Sequence, residues 1–400
     1  MILPKPATCD CPHDPLSAVN QLSAPEIPDT SSLEITLQLS NATPSTMGSK
    51  FWPKRGSPGI LHHFTETLVA FEFTPNNKPQ PNSILFLGGL GDGLATTSYV
   101  ADIVTGLQPT QWSLFTLNLT SSYQSWGFGH LDRDTDEIAQ CIAHIHAHKT
   151  ASFGSPGRLI LMGHSTGSQC VLHYLSQPNP HTRTPRFDRG LEHVHRPPID
   201  GAIMQAPVSD REAIHLIMRD GFLGRSPAQL RATYDRLVGL ARAGVEGDED
   251  GCDAVLPIHL TAQFGYPRNS PVSCRRFLSL VSPDSPGRPA EDDMFSSDLG
   301  EECLGRTFGM VGRRGLLRHR LMVLMSGADQ AVPDWVDKEG LLARWRAVTD
   351  RDCAEPIWDH ERSGLIPGAS HALSNDDQAE PRAVLVRRVL SYLEDLEKRG

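Results

Sequence analysis

No run of about 18 consecutive apolar residues occurs in this 400-residue chain, which excludes a membrane-crossing helix. Residues 1–10 lack a basic region followed by an apolar one, so no secretory signal is expected, and residues 397–400 form no peroxisomal address. A cytoplasmic location is the expectation that follows. Positive charge is in deficit: 37 Lys and Arg against 47 Asp and Glu give a net charge of −10, which disfavours nucleic acid and other polyanionic partners. The eight cysteines lack paired metal spacing, and Cys9 and Cys11 have no second pair to complete a zinc site. They are expected to be thiols in a reducing compartment, several of them buried. Internal repeats are absent as well. What remains, 39% hydrophobic residues with 34 Gly and 31 Pro, fits a loop-rich globular protein long enough for one large domain with an insertion, or for two domains.

Residues 1–57 are rich in Pro, Ser and Thr and read as an N-terminal extension, although residues 33–39 alternate as a strand would. From there the rhythm changes. Apolar strands are expected at 67–73, 83–87, 112–117, 158–162, 199–205 and 320–325, and helices at about 94–104, 131–148 and 382–396. Strands that alternate with helices imply right-handed crossovers and a mostly parallel sheet covered on both faces, an α/β class. The alternation stops between Asp210 and about Arg318, where helical stretches at 211–220 and 227–243 are separated by Pro-Gly breaks. The expected organisation is a core of 58–210 and 319–400 with 211–318 inserted as a lid.

The motif that carries chemistry is Gly163-His164-Ser165-Thr166-Gly167, between an apolar strand and a helical segment. A strand that enters a helix through Gly-X-Ser-X-Gly presents the serine on a strained turn, and the glycines remove side chains that would clash. A serine hydroxyl is a poor nucleophile at neutral pH and needs a base, which in turn needs a carboxylate to fix its tautomer. Asp329, in a loop just after the strand at 320–325, is the favoured acid, with Asp334 and Asp210 as rivals. His371, in the loop before the last helix, is the favoured base. For the oxyanion, the Thr166 N–H is one expected donor and the Leu90 N–H, past Gly88-Gly89, the other. The Gly88–Gly93 run fits neither a dinucleotide fingerprint nor a P-loop, so no nucleotide cofactor is expected. Cys141, His144 and His148 share a helix face that reads as packing, and residues 246–253 lack the ligand pattern of a calcium loop, so no metal is expected either. Trp126, Phe128 and His130 are candidates to line a pocket, with packing equally open.

The chain order Ser165, Asp329, His371 is that of the α/β-hydrolases. The runs 86–93, 163–169, 205–212 and 326–330, with Ser370-His371, further resemble a fungal α/β-hydrolase family of uncharacterised domain that includes esterases of fusarinine-type siderophores. The resemblance spans about residues 58–396. It implies hydrolysis of ester bonds in ferric fusarinine C or triacetylfusarinine C, with Ser165 as nucleophile, Asp329 as acid and His371 as base, releasing iron inside the cell. The sequence departs from the esterase pattern in having Leu87-Gly88-Gly89-Leu90 where His-Gly-Gly-Gly is frequent. Other readings to be tested are another carboxylesterase, a lipase or a thioesterase, and, from a different class, a non-catalytic binding protein on the same scaffold.

Overall fold

The computed structural model describes residues 51–399 apart from 54, 75–77, 183 and 248–252. The strand expected at 33–39, the Cys9/Cys11 pair, most of the 246–253 segment and nearly all of the extension lie outside the described residues. Eight strands form one sheet: β1 (Gly59–His63), β2 (Val69–Phe73), β3 (Asn82–Leu87), β4 (Trp112–Leu117), β5 (Leu159–His164), β6 (Gly201–Gln205), β7 (Leu321–Ser326) and β8 (Gly364–Ile366). Their spatial order is β1-β2-β4-β3-β5-β6-β7-β8. From β4 to β8 every pairing is parallel, while β1–β2 and β2–β4 are antiparallel. The central strands read as unbroken apolar runs because both faces are covered. Along β5, Leu159 and Leu161 enter the core on one face, Ile160 and Met162 the core on the other.

Helices α1 (Val100–Gly106), α2 (Leu131–Phe153) and α3 (Thr166–Ser176) follow β3, β4 and β5. Between β6 and β7 lie α4 (Asp210–Asp220), α5 (Pro227–Glu246), the short α6 (Ile258–Thr261), α7 (Cys274–Val281) and α8 (Glu301–Arg306). Helices α9 (Lys338–Thr349) and α10 (Ala379–Lys398) complete the chain. Start signals are local: Ser226 caps α5 through a capping box with Gln229, and Asp337 caps α9.

The segment between β6 and β7 has two fates. Ile214, Leu237, Phe264 and Phe277 build a separate hydrophobic core, joined by Trp126 and flanked by Leu90. Met294, Phe295, Phe308 and Leu316 instead join the main core beside α3 and α9. Five of the cysteines are described, all as free thiols, with Cys141, Cys170 and Cys274 buried.

The helix face of Cys141, His144 and His148 packs on the sheet. His144 Nε2 lies 3.2 Å from His62 Nδ1, and His62 Nε2 3.2 Å from Glu72 Oε2. His62, Glu72 and His148 bring ligand atoms together, but the Lys149 ammonium, fully buried, already holds Glu72 at 2.5 Å and donates to the Gln80 carbonyl at 2.7 Å. An ammonium in contact with the carboxylate opposes a second cation there. Breaking a buried ion pair strands the remaining charge. Lys149→Met is therefore expected to cost about 3 kcal/mol, read as a lower urea midpoint at unchanged slope. The Glu72→Leu/Lys149→Met double variant should recover most of that loss.

Candidate active site

β5 ends at His164 and α3 begins at Thr166, so one residue, Ser165, makes the whole turn, with φ 53° and ψ −121°. That conformation is sparsely populated for a residue with a Cβ and persists only where its surroundings enforce it. The enforcing contacts are visible. A Cβ on Gly163 would stand 2.1 Å from the Gly167 carbonyl oxygen, and one on Gly167 2.5 Å from that of Leu87, so both positions tolerate only glycine. Ser165 N–H donates to the Gln205 carbonyl at 3.0 Å, tying the elbow to β6.

The two other candidate residues arrive from the loops after β7 and β8. His371 Nε2 lies 2.9 Å from Ser165 Oγ, and His371 Nδ1 lies 2.8 Å from Asp329 Oδ2. Asp329 is buried, and its Oδ1 accepts the Ala331 N–H at 2.9 Å. The Gln330 side chain accepts the His371 N–H at 3.0 Å, and Ala328 N–H donates to the Ala369 carbonyl at 2.8 Å, so the two loops are stitched together. Burial pulls the His371 imidazole towards neutrality, but the Asp329 charge and its hydrogen bond, joined by the Asp210 and Asp92 charges, outweigh that and hold its pKa above the usual histidine value.

The rival acids lie elsewhere. Asp334 is exposed and pairs with Arg219. Asp210 accepts from Gln169 Nε2 at 3.0 Å, and burial, helped by Asp292, pushes its carboxyl up to about 6. His164 is buried beneath the turn, with Nδ1 2.6 Å from Gln205 Oε1 and its ring 5.1 Å from that of His371. Burial and the neighbouring His371 push His164 down to about 4, so it stays neutral at physiological pH.

Thr166 begins α3, where the first N–H groups have no intrahelical acceptor. Gly89 comes so close to the elbow that a Cβ on it would stand 3.0 Å from Ser165 Cβ. Asp92 shapes this loop by accepting the Gly89 N–H at 2.8 Å and the Thr97 hydroxyl at 2.9 Å. Leu90 and Thr166 line one small cavity of about 40 Å³, and Trp126, Asp134, Cys170 and Arg276 complete much of its wall. Of the aromatic trio, only Trp126 lines it; Phe128 is exposed, and His130 caps α2 with Nε2 2.7 Å from Asp188. Sequence reasoning missed Arg276 and Asp134. For Arg276 a signal existed, since it precedes Leu280 by one helical turn and so shares the apolar side of α7.

The sheet order, the elbow between β5 and α3, and the order of the three side chains along the chain define a hydrolase of the α/β-hydrolase fold. A family described as "Protein of unknown function (DUF1749)" matches residues 52–394, and the chain belongs to that family. It is 63% identical over 355 residues to the fusarinine C esterase sidJ of Aspergillus fumigatus, an alignment that covers 88% of this chain and 100% of the relative. It is 48% identical over 355 residues to esterase AN6793 of Emericella nidulans, covering 86% and 94%. Among solved structures, the siderophore hydrolase EstB from Aspergillus fumigatus matches with a TM-score of 0.78 at 61% identity, over 86% of this chain and 99% of that one. No helix among the described residues is long and apolar enough to cross a membrane.

Proposed function

We propose that this protein is a serine esterase that hydrolyses ester bonds of a fusarinine-type ferric siderophore, fusarinine C or triacetylfusarinine C, and so releases iron inside the cell. One observation carries the chemistry: the unbroken line Ser165 Oγ, His371, Asp329, with contacts of 2.9 and 2.8 Å. In this reading His371 Nε2 takes the Oγ proton as Oγ attacks the ester carbonyl carbon, and Asp329 stabilises the imidazolium. The carbonyl oxygen becomes an oxyanion that the Thr166 and Leu90 N–H groups receive. Collapse breaks the C–O bond, and the leaving alkoxide takes the proton back from His371. A water molecule, deprotonated by the same imidazole, then hydrolyses the acyl-enzyme. The siderophore assignment is supported by the names of the two relatives above 60% identity.

Of the insertion 211–318, the part up to about Val281 serves as a lid over the core formed by 58–210 and 319–400, while the part from Met294 on packs into that core. That lid part has a hydrophobic core of its own, and Leu90 and Trp126 touch both that core and the cavity. The cavity beside the elbow, about 40 Å³, does not hold a cyclic hydroxamate, so in this reading the lid moves aside to admit substrate. Asp134 and Arg276 in its wall disfavour a lipase or thioesterase that takes long hydrocarbon chains. Incubation with ferric fusarinine C, triacetylfusarinine C and p-nitrophenyl esters, followed by mass spectrometry, is expected to show ring-opened and monomeric siderophore products. Siderophores left intact by protein that cleaves the p-nitrophenyl esters would sink the substrate assignment.

A further inference from the structure

At the end of α3 away from the elbow, a second group of titratable side chains converges on one point. Asp132 lies in the first turn of α2, His173 in the last turn of α3 and His181 in the loop that follows, so no local spacing announces the group. Both imidazoles face the same carboxylate oxygen. His173 Nε2 stands 2.8 Å and His181 Nδ1 3.2 Å from Asp132 Oδ1, and the three ligand atoms all lie within 4.8 Å of one another. Glu291 Oε1 adds a second carboxylate, 3.7 Å from His173 Nε2. The two rings are buried, but Asp132, His173 and Glu291 line a cavity of about 530 Å³, which gives an ion its way in. The outer ring nitrogens, His173 Nδ1 and His181 Nε2, have no hydrogen-bond partner among the described residues, so neither tautomer is fixed from outside. Burial pushes the His181 imidazole down to about 4 against the pull of Asp132, which leaves it in the neutral form that ligates a metal.

We propose that Asp132, His173 and His181 form a zinc site, with water as the fourth ligand and Glu291 accepting a hydrogen bond from that water. It stands apart from the chemistry at Ser165 and does not rest on the esterase reading. Two imidazoles and a carboxylate suit zinc, whereas calcium and magnesium favour oxygen shells. Zinc bonds of about 2.0–2.1 Å set tetrahedral ligand atoms about 3.4 Å apart, so the contacts of 2.8 and 3.2 Å need to spread by only about half an ångström or less. Charge points the same way. Among the described residues no Lys or Arg pairs with Asp132 or Glu291, unlike Glu72, which Lys149 already holds. Arg196 instead gives its guanidinium to the carbonyls of His173, Gln177 and Pro178. Glu291 lies between the part of the insertion with its own core and the part from Met294 that joins the main core. An ion at this point fastens α2, α3 and that junction together.

Metal-free protein, titrated with zinc chloride in competition with a chromophoric chelator, is expected to take up a single zinc ion per chain. Cobalt(II) in its place should show the visible d–d bands of a tetrahedral nitrogen and oxygen site without a thiolate-to-cobalt band, which sets it apart from binding at the cysteines. His181→Ala and Asp132→Asn are each expected to weaken zinc binding by about 100-fold or more, since even partners behind the ligands are worth about 10–100-fold. His360→Ala, which removes an exposed histidine paired with Asp350, should leave binding unchanged. Zinc should also raise the urea midpoint of the unaltered protein, and of neither ligand variant. Absence of zinc uptake by the unaltered protein, a thiolate band in the cobalt spectrum, or tight binding that survives both ligand substitutions overturns the site. The cobalt spectrum of the unaltered protein decides the matter even if a variant fails to fold.

Discussion

Ser165→Ala is expected to lower kcat for ester hydrolysis by about 10⁵-fold or more, the loss seen when a serine nucleophile is deleted from a working triad. The reason is local. With Oγ gone, His371 Nε2 has no hydroxyl to deprotonate, and what remains is background attack by water helped by the oxyanion donors and by binding alone. Stability should hardly change. Alanine keeps the Cβ, so the φ of 53° costs the folded state the same in both proteins, and the Ser165 N–H bond to the Gln205 carbonyl is untouched. Two measurements separate chemistry from folding: steady-state hydrolysis of a p-nitrophenyl ester with fluorophosphonate labelling, and a urea midpoint. A variant that keeps more than a hundredth of the original rate would remove Ser165 from the chemistry.

The parts of this site that were legible in the sequence are those fixed by backbone geometry. Gly163 and Gly167 are written into the chain because the turn leaves no room for a side chain at either, and β3, β4, β5 and β7 are legible because a strand buried on both faces must be apolar throughout. Asp329 stood out because it follows the apolar run of β7, and His371 because it lies in the loop before the last helix. The outer strands were not legible. β1 is exposed at all but one residue, so it has no alternation to read, and β8 is three residues whose pairing is set by β7. The helix α9 escaped notice although Asp337 caps it, since its buried positions, among them Leu341 and Trp345, match a core whose other half lies far away in sequence. The division of the 211–318 segment was hidden for the same reason: an apolar face announces burial, not which core receives it. Arg276 and Trp126 reach one cavity wall only after α7 packs on the loop that follows β4, an approach of distant parts of the chain that no local pattern encodes.

The carboxylate of Asp329 gives the second large effect. It accepts the His371 Nδ1 proton at 2.8 Å, which leaves Nε2 unprotonated and facing Ser165, and its charge steadies the imidazolium formed on attack. In Asp329→Asn the amide can donate to Nδ1, so the ring is driven to the tautomer with its proton on Nε2, where it cannot act as a base. A fall in kcat of about 10⁴-fold is expected, the size found when the same exchange is made in a serine protease. The pH dependence supplies an independent sign. Only neutral His371 accepts the proton, so kcat/KM rises with pH through the imidazole pKa of the free enzyme. Burial pulls that pKa down, but the Asp329 charge and hydrogen bond together with the Asp210 and Asp92 charges outweigh it, so the rising limb should lie above the ordinary histidine value in the unaltered protein. Removing the Asp329 charge takes away the largest influence that opposes burial, and the limb should move to lower pH even as the plateau drops. Profiles of kcat/KM between about pH 5 and 9 for both proteins measure the two effects together. If the asparagine variant kept a tenth of the activity, or if its rising limb stayed where the original lies, the carboxylate that orients and charges His371 would have to be sought elsewhere.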